Sequence, residues 1–509
     1  MMNRRLERLG LALCGALLLS ACDPAEREHV LAMQHVQVRK GDLAGEFGPC
    51  PRDSETPLPG LVASSRCALF RTPENPDAPD GRQLELQVMV VPAIRPLPEP
   101  DPFVILVGGP GQAATVDALQ VVPAFERIRR DRDILLVDQR GTGKLSPFDC
   151  DFEEEEDGLQ QASELLLERQ TRLLQDCLDS IDADPRYYTT DLAVRDLDAI
   201  RAWLGYRALN LWGVSYGTRV ALMYLKYFPE STRTVVIDGV APPGILPLEA
   251  ARDGKRALQQ VLDLCREETA CNAAFPQLAQ HFGELRARYS EPVHVDLRDP
   301  TDGTLADIEL RTAYIEGLLF QMLYSREATR LIPLFIEQLY AGNLQPLTWV
   351  NNTSSGINIP MHYSVICAED VPLIPDAELA AAATDDSVFV YDMLVLPRVE
   401  GCKVWPSRTL PPEFFEPVAS DKPVLIFSAS QDPVTPRRWG DRVAETLPNS
   451  LHLVADGVGH GTFPYGCVAE LISEFVATAA FATLATECID DLDTRPFFTT
   501  FGGTGAADD

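Results

Sequence analysis

Basic residues are scarce in this chain: 44 Lys and Arg stand against 75 Asp and Glu over 509 residues, a net charge of −31. Binding to nucleic acid needs a basic surface for the phosphates, so that class of partner is excluded. Metal-site patterns are missing as well. No C-x-x-C pair and no Cys/His cluster has zinc spacing, and no metal is expected. There is no internal repeat, and the apolar stretch "LGLALCGALLLSAC" (9–22) is too short to span a bilayer. What remains is ordinary globular composition, with 46% hydrophobic and 23% charged residues. The length implies a large catalytic domain with an insertion, or two to three domains. The densest acidic run, "DFEEEED" (Asp151 to Asp157), reads as a solvated loop or helix start.

The first residues read as an export signal. Arg4, Arg5 and Arg8 precede the short apolar stretch. Its end, Leu19-Ser20-Ala21-Cys22, resembles the lipobox of bacterial lipoproteins, which implies cleavage after residue 21 and lipidation of Cys22. The expected location is the cell envelope, as a lipoprotein facing the periplasm, and otherwise secretion; both are oxidising. Of 12 cysteines, Cys14 and Cys22 belong to residues 1–22, which leaves an even 10. Paired in chain order they would be Cys50–Cys67, Cys150–Cys177, Cys265–Cys271, Cys367–Cys402 and Cys467–Cys488, a connectivity that sequence leaves open.

Periodicity divides the mature chain. After an N-terminal extension (23–84), "RQLELQVMVVPA" alternates like a strand, and "FVILVGGPG" and "DILLVDQRGTG" are solid apolar runs ending in glycines. Such runs, separated by helical stretches like "LAVRDLDAIRAWLGY", indicate buried parallel strands of an α/β sheet over 85–244. Across 245–415 helical periodicity takes over, as in "YIEGLLFQMLY", and a mainly helical cap insertion is expected. The strand–loop pattern returns over 416–495, and 496–509 reads as a tail.

Gly213-x-Ser215-x-Gly217 follows the apolar strand "ALNLWGV" and opens the apolar-periodic helix "TRVALMYLKYFP". That is the setting of a nucleophile elbow, a tight turn on which a serine is exposed. A serine hydroxyl needs a base to take its proton and a carboxylate to orient that base. In this chain order both follow the serine. His460, in the Gly-rich loop "DGVGHGTF", is the candidate base; His452 alternates inside a strand. Asp432, closing the strand "PVLIFSAS", is the candidate acid, with Asp238 and Asp456 as rivals. The oxyanion would be met by the backbone N–H groups of Tyr216 and Gly109.

Taken together, Gly108-Gly109-Pro110-Gly111, "DQRGTGKLS" (138–146), the Ser215 motif, Asp432-Pro433 and His460-Gly461 resemble the α/β-hydrolase family of proline iminopeptidases and tripeptidyl aminopeptidases. The likeness runs from about 85 to 490, and the stretch from about 420 is similar to the C-terminal segment of secreted tripeptidyl aminopeptidases. One departure is Val107, where a histidine often precedes the glycines. The resemblance implies an α/β-hydrolase fold with a mostly parallel sheet, no cofactor, and cleavage of short peptides from a free N-terminus. It further implies cap carboxylates that pair the substrate ammonium, for which Glu369 and Asp370 are the candidates, and loop-bracing roles for Asp138 and Arg140. The alternative is a carboxylesterase or other acyl hydrolase with the same three residues. Dehalogenase or epoxide hydrolase chemistry would need an aspartate at position 215, and a non-catalytic scaffold would be expected to lack one of the three.

Overall fold

The computed structural model describes residues 47–51, 58–148, 150, 163–245, 247–298, 303–348, 356–385, 387–490, 492 and 495–504. The stretch expected to be an export signal, with Cys22, and the acidic run Asp151–Asp157 lie outside the described residues.

The apolar runs form the parallel part of a nine-stranded sheet. Its strands are β1 (Gly48–Pro49), β2 (Arg66–Pro73), β3 (Gln83–Val91), β4 (Phe103–Leu106), β5 (Ile134–Val137), β6 (Leu209–Val214), β7 (Thr232–Asp238), β10 (Val424–Ala429) and β11 (Ser450–Ala455). The order is β1-β2-β3-β5-β4-β6-β7-β10-β11. From β5 through β4 to β11 all pairs are parallel; β1, β2 and β3 join antiparallel at one edge. Because the parallel strands are covered on both faces, they carry few polar residues. One face packs α2 (Thr190–Leu204) and α3 (Tyr216–Tyr227) through Val194, Leu197, Val220 and Met223. The other packs α11 (Val468–Thr478) through Leu471 and Phe475 around Trp212 and Phe125. α1 (Ser163–Ser180) and α10 (Arg437–Ala444) complete the helical layers.

The chain leaves the sheet after β7 and rejoins it at β10. Between them lie α4 (Pro247–Glu267), α5 (Leu278–Arg288), α6 (Thr312–Met322), α7 (Ile332–Tyr340), α8 (Ile359–Glu369) and α9 (Leu396–Val404). This insertion has its own apolar core, including Leu258, Leu285, Leu319 and Phe335. It also shares the core of the sheet through Met361, Tyr363, Val365 and Trp405, so the cap is packed onto the sheet as one continuous interior.

One expectation is corrected, and the mainly helical cap carries one addition. The lead-in before residue 85 is no separate extension, because β2 pairs with β3 from Arg66↔Val90 to Pro73↔Gln83 and Cys50–Cys67 ties it to β1. The cap also contains an antiparallel hairpin, β8 (Val293–Arg298) with β9 (Leu305–Leu310). Its alternation ("VHVDLR", "LADIEL") is a strand signal, obscured by the helical stretches on either side. All five disulfides pair in chain order: Cys50–Cys67, Cys150–Cys177, Cys265–Cys271, Cys367–Cys402 and Cys467–Cys488. Among the described residues no helix is long and apolar enough to cross a membrane.

Candidate active site

Ser215 sits where β6 turns directly into α3, with φ 57° and ψ −126°. Non-glycine residues rarely adopt a positive φ, and the turn holds Ser215 there by close backbone packing. A Cβ on Gly213 would collide with the Gly217 carbonyl, and one on Gly217 with the Leu106 carbonyl of β4. The two glycines are therefore required by the approach of three backbones, and the result is a half-buried serine raised on the end of the sheet. The Ser215 N–H donates to the Asp238 carbonyl at 3.0 Å, which ties the elbow to β7.

The loop after β4 lies against the serine. A Cβ on Gly108 would stand 3.5 Å from Ser215 Oγ, so the backbone leading to Gly109 passes beside the hydroxyl. Tyr216 is the first residue of α3, and its N–H is one of the donors a helix start leaves without an intrahelical partner. The loop is braced from three sides. Gly108 N–H donates to Gln112 Oε1 at 3.0 Å. The Asn358 N–H of the cap donates to the Gly111 carbonyl at 3.1 Å. His362 Nδ1 lies 3.2 Å from the Pro110 carbonyl, which it can bond as a donor; burial pushes this imidazole down to about 3, so it is neutral. Asp138 accepts from the N–H and hydroxyl of Thr115 at 2.8 and 2.7 Å. Arg140 is buried in a fork on Asp196 and also donates to the Glu74 and Tyr187 carbonyls.

His460 occupies the loop after β11. Its N–H donates to the Tyr324 carbonyl of the cap at 3.0 Å, and the Tyr324 ring stands edge-on to the imidazole with centroids 5.1 Å apart. Asp432, fully buried, faces its Nδ1 at 2.8 Å through Oδ2. The remaining lone pairs of Asp432 accept from Val434 N–H, Thr435 N–H and the Thr435 hydroxyl at 2.9, 2.8 and 2.7 Å. Burial alone would raise this carboxyl. The charge and hydrogen bond of His460, with the two backbone N–H groups, outweigh it and hold Asp432 below its usual value. An ionised acceptor fixes the proton of His460 on Nδ1 and leaves Nε2 as the basic nitrogen. Burial lowers the imidazole, but the Asp432 charge and hydrogen bond carry its pKa above the ordinary value.

The rival acids are placed elsewhere. Asp456 is exposed. Asp238 is buried at the end of β7 and accepts from Thr462 and Phe463 N–H at 2.9 Å, which anchors the loop carrying His460. His452 has both ring nitrogens occupied, by Asp441 and Ser428.

Glu369 and Asp370 come together at the end of α8, but not as an open acceptor for an ammonium. Arg219, one turn into α3, donates to Glu369 Oε2 at 3.1 Å and to both oxygens of Asp370 at 2.9 Å. Thr190 supplies its N–H and hydroxyl to Glu369 at 2.7 and 2.8 Å. A guanidinium of the core thus stands beside the two carboxyls, where the expectation had placed the substrate amine. Burial nevertheless pushes Glu369 up to about 7. Sequence reading missed Arg219, Thr190 and Thr435. Only Thr435 had a local signal, the Asp-x-x-Thr spacing of a capped turn; Arg219 meets its partners 150 residues away.

Comparison with known proteins agrees with this geometry. A family model for the alpha/beta hydrolase fold matches residues 101–466. The serine protease Hip1 of Mycobacterium tuberculosis is 25% identical over 472 residues, covering 85% of this chain and 88% of the relative. Carboxylesterase B of the same organism is 25% identical over 435 residues, covering 78% and 81%. The tripeptidyl aminopeptidase of Streptomyces lividans is 28% identical over 261 residues, 48% of this chain and 47% of that one. With its mostly parallel sheet, its serine on the strand–helix turn and the family match over most of its length, the chain belongs to the alpha/beta hydrolase fold family.

Proposed function

We propose that the chain is a serine peptidase that releases residues or tripeptides from the free N-terminus of short peptides through an acyl-enzyme on Ser215. The observation that carries this reading is His460 oriented by Asp432 in the loop tied through Asp238 to the Ser215 elbow. In this scheme His460 Nε2 takes the Ser215 proton as Oγ attacks the scissile carbonyl. The N–H groups of Tyr216 and Gly109 meet the negative oxygen of the tetrahedral adduct. Collapse expels the amine, which takes the proton from His460, and water repeats the sequence to free the acyl group. Asp432 keeps the imidazole in its tautomer throughout. Similarity to relatives named a serine protease and a tripeptidyl aminopeptidase supports a peptide substrate.

Ala-Ala-Pro and Pro aminoacyl-amide substrates test the reading, each with and without an N-acetyl group. The free amines should be cleaved and the acetylated forms resisted, and S215A should lose both turnover and fluorophosphonate labelling. Indifference to acetylation refutes the aminopeptidase assignment. A second reading, a carboxylesterase, is favoured by one observation: Arg219 neutralises the carboxylates that would hold an ammonium. Ester turnover that exceeds amide turnover and ignores the acetyl group would select it. We also read Cys22 as the lipidated first residue of an envelope protein, which the mass of the mature N-terminal peptide checks.

A further inference from the structure

One cap helix is bonded to both of the elements that would supply the oxyanion donors. Strands β4 and β6 are neighbours, but both donors lie past the strand ends: Gly109 in the loop after β4, Tyr216 in the first turn of α3. At its start α8 holds the loop. The Asn358 N–H donates to the Gly111 carbonyl at 3.1 Å, and one turn on His362 Nδ1 lies 3.2 Å from the Pro110 carbonyl. The approach is close, since a Cβ on Gly111 would stand 2.8 Å from the Asn358 carbonyl. At its end α8 holds the turn. Glu369 accepts the N–H and hydroxyl of Thr190 at 2.7 and 2.8 Å. With its proton given to Glu369, the Thr190 hydroxyl meets the Tyr216 phenol at 2.8 Å as an acceptor. Gln139 Nε2 donates to the same phenol at 2.9 Å, so the Tyr216 side chain is fixed from two sides. Arg219, one turn further along α3, is tied to Glu369 and Asp370. Between its ends α8 is pinned to α9 by Cys367–Cys402 and by the Tyr363 hydroxyl, which donates to the Pro397 carbonyl at 3.0 Å. Trp405 Nε1 adds a bond to Ser364 Oγ at 2.9 Å, and every residue from Pro360 to Glu369 is buried. Such a helix is a stiff rod about 16 Å long.

We propose that α8 is a splint that sets the spacing of the two oxyanion donors, with His362 and Thr190 as positioning residues at its two ends. This rests on the reading of Ser215 as the acylated serine with the Tyr216 and Gly109 N–H groups at the oxyanion, and it holds for a peptide and an ester alike. Preorganised donors act where charge develops, so both must reach the same oxygen of the tetrahedral adduct. Loosening either end raises the barrier of the chemical step and leaves ground-state binding as it was. If the same bonds only fastened the cap to the sheet, their loss would lower stability and act alike on every substrate.

The test compares p-nitrophenyl acetate with its thiono analogue, in which a sulfur, a weak acceptor, replaces the carbonyl oxygen. H362L and T190V each remove one tether, while H362N and T190S put a donor and a hydroxyl back in nearly the same places. End-point fluorophosphonate labelling counts the competent Ser215 in each variant, and kcat is taken per labelled site. On the intact chain the oxygen ester should be preferred about a hundredfold. H362L and T190V should each lower kcat on the oxygen ester about tenfold with KM held, leave the thiono ester nearly unchanged, and so cut the preference about tenfold. H362N and T190S should recover most of it. Y216F, which removes only the phenol hydroxyl, gives the same ratio where T190V labels poorly. Because both ends act on one spacing, H362L/T190V together should fall well short of the roughly hundredfold loss that independent effects would give. A preference that neither single variant reduces overturns the proposal, as does an equal loss on both esters or a double variant that multiplies the single losses. An intact chain with no preference for oxygen refutes the oxyanion reading itself, and the splint with it.

Discussion

The turn at Ser215 makes a prediction that separates catalysis from stability. Replacing Ser215 by alanine or by glycine removes the hydroxyl, so both variants should be inert to substrate and to fluorophosphonate. They differ in backbone strain. Alanine keeps a Cβ at φ 57° and ψ −126°, a conformation that costs a non-glycine residue about 1–3 kcal/mol. Glycine removes that cost but gives the unfolded chain extra freedom worth about 0.5–1 kcal/mol. S215G should therefore be more stable than S215A by about 0.5–2 kcal/mol. At roughly 2.1 cal/mol/K of unfolding entropy per residue, a chain of this length changes Tm by about 1 °C per kcal/mol. Calorimetry with the disulfides intact should thus show S215G melting about 0.5–2 °C above S215A. Equal melting, or S215A the more stable, would refute the claim that the collision-limited glycines at 213 and 217 hold a strained serine between them.

D432N should lower kcat on a reactive ester about 10⁴-fold, because an amide no longer dictates the Nδ1–H tautomer of His460. Its pH profile gives the sign: the base must be neutral, so activity falls as pH drops through the imidazole pKa, which Asp432 holds above the ordinary value. Loss of the carboxylate should move this acid limb to lower pH, and a shift to higher pH would contradict the assignment. Glu369, raised by burial from 4.5 to about 7, takes up its proton more readily folded than unfolded. Its contribution to stability is present below about pH 4.5 and is lost as pH rises through about 7. E369Q should flatten the decline of unfolding free energy over that window, measured by urea titration; an unchanged decline would assign it to another group.

Much of the α/β architecture was legible because its signals are local. The runs "FVILVGGPG", "DILLVDQRGTG" and "ALNLWGV" became β4, β5 and β6 near their expected places, since a strand buried on both faces must be apolar throughout. The strand β2 and the β8–β9 hairpin were missed because they are only partly buried and carry no such solid apolar run. The hairpin's alternation, with one face polar, is weak beside the helices before and after it, while β2 does not alternate in burial at all.

The functional residues divide in the same way. Sequence alone named the candidates for the chemistry, Ser215 on its glycines, His460 in a glycine loop and Asp432 ahead of a proline, and the ten cysteines from Cys50 onward. It could not determine which carboxylate does what. Asp238 ends β7 and Asp432 lies in the loop just past β10 of the same sheet, and only the fold turns Asp432 to the imidazole and Asp238 to the backbone of Thr462 and Phe463, 224 and 225 residues away. Tertiary structure likewise closed Glu369 and Asp370 on Arg219. A charge buried in the interior must be matched by whatever counter-charge packing brings near, and that choice is made by contacts hundreds of residues apart, which no local pattern records.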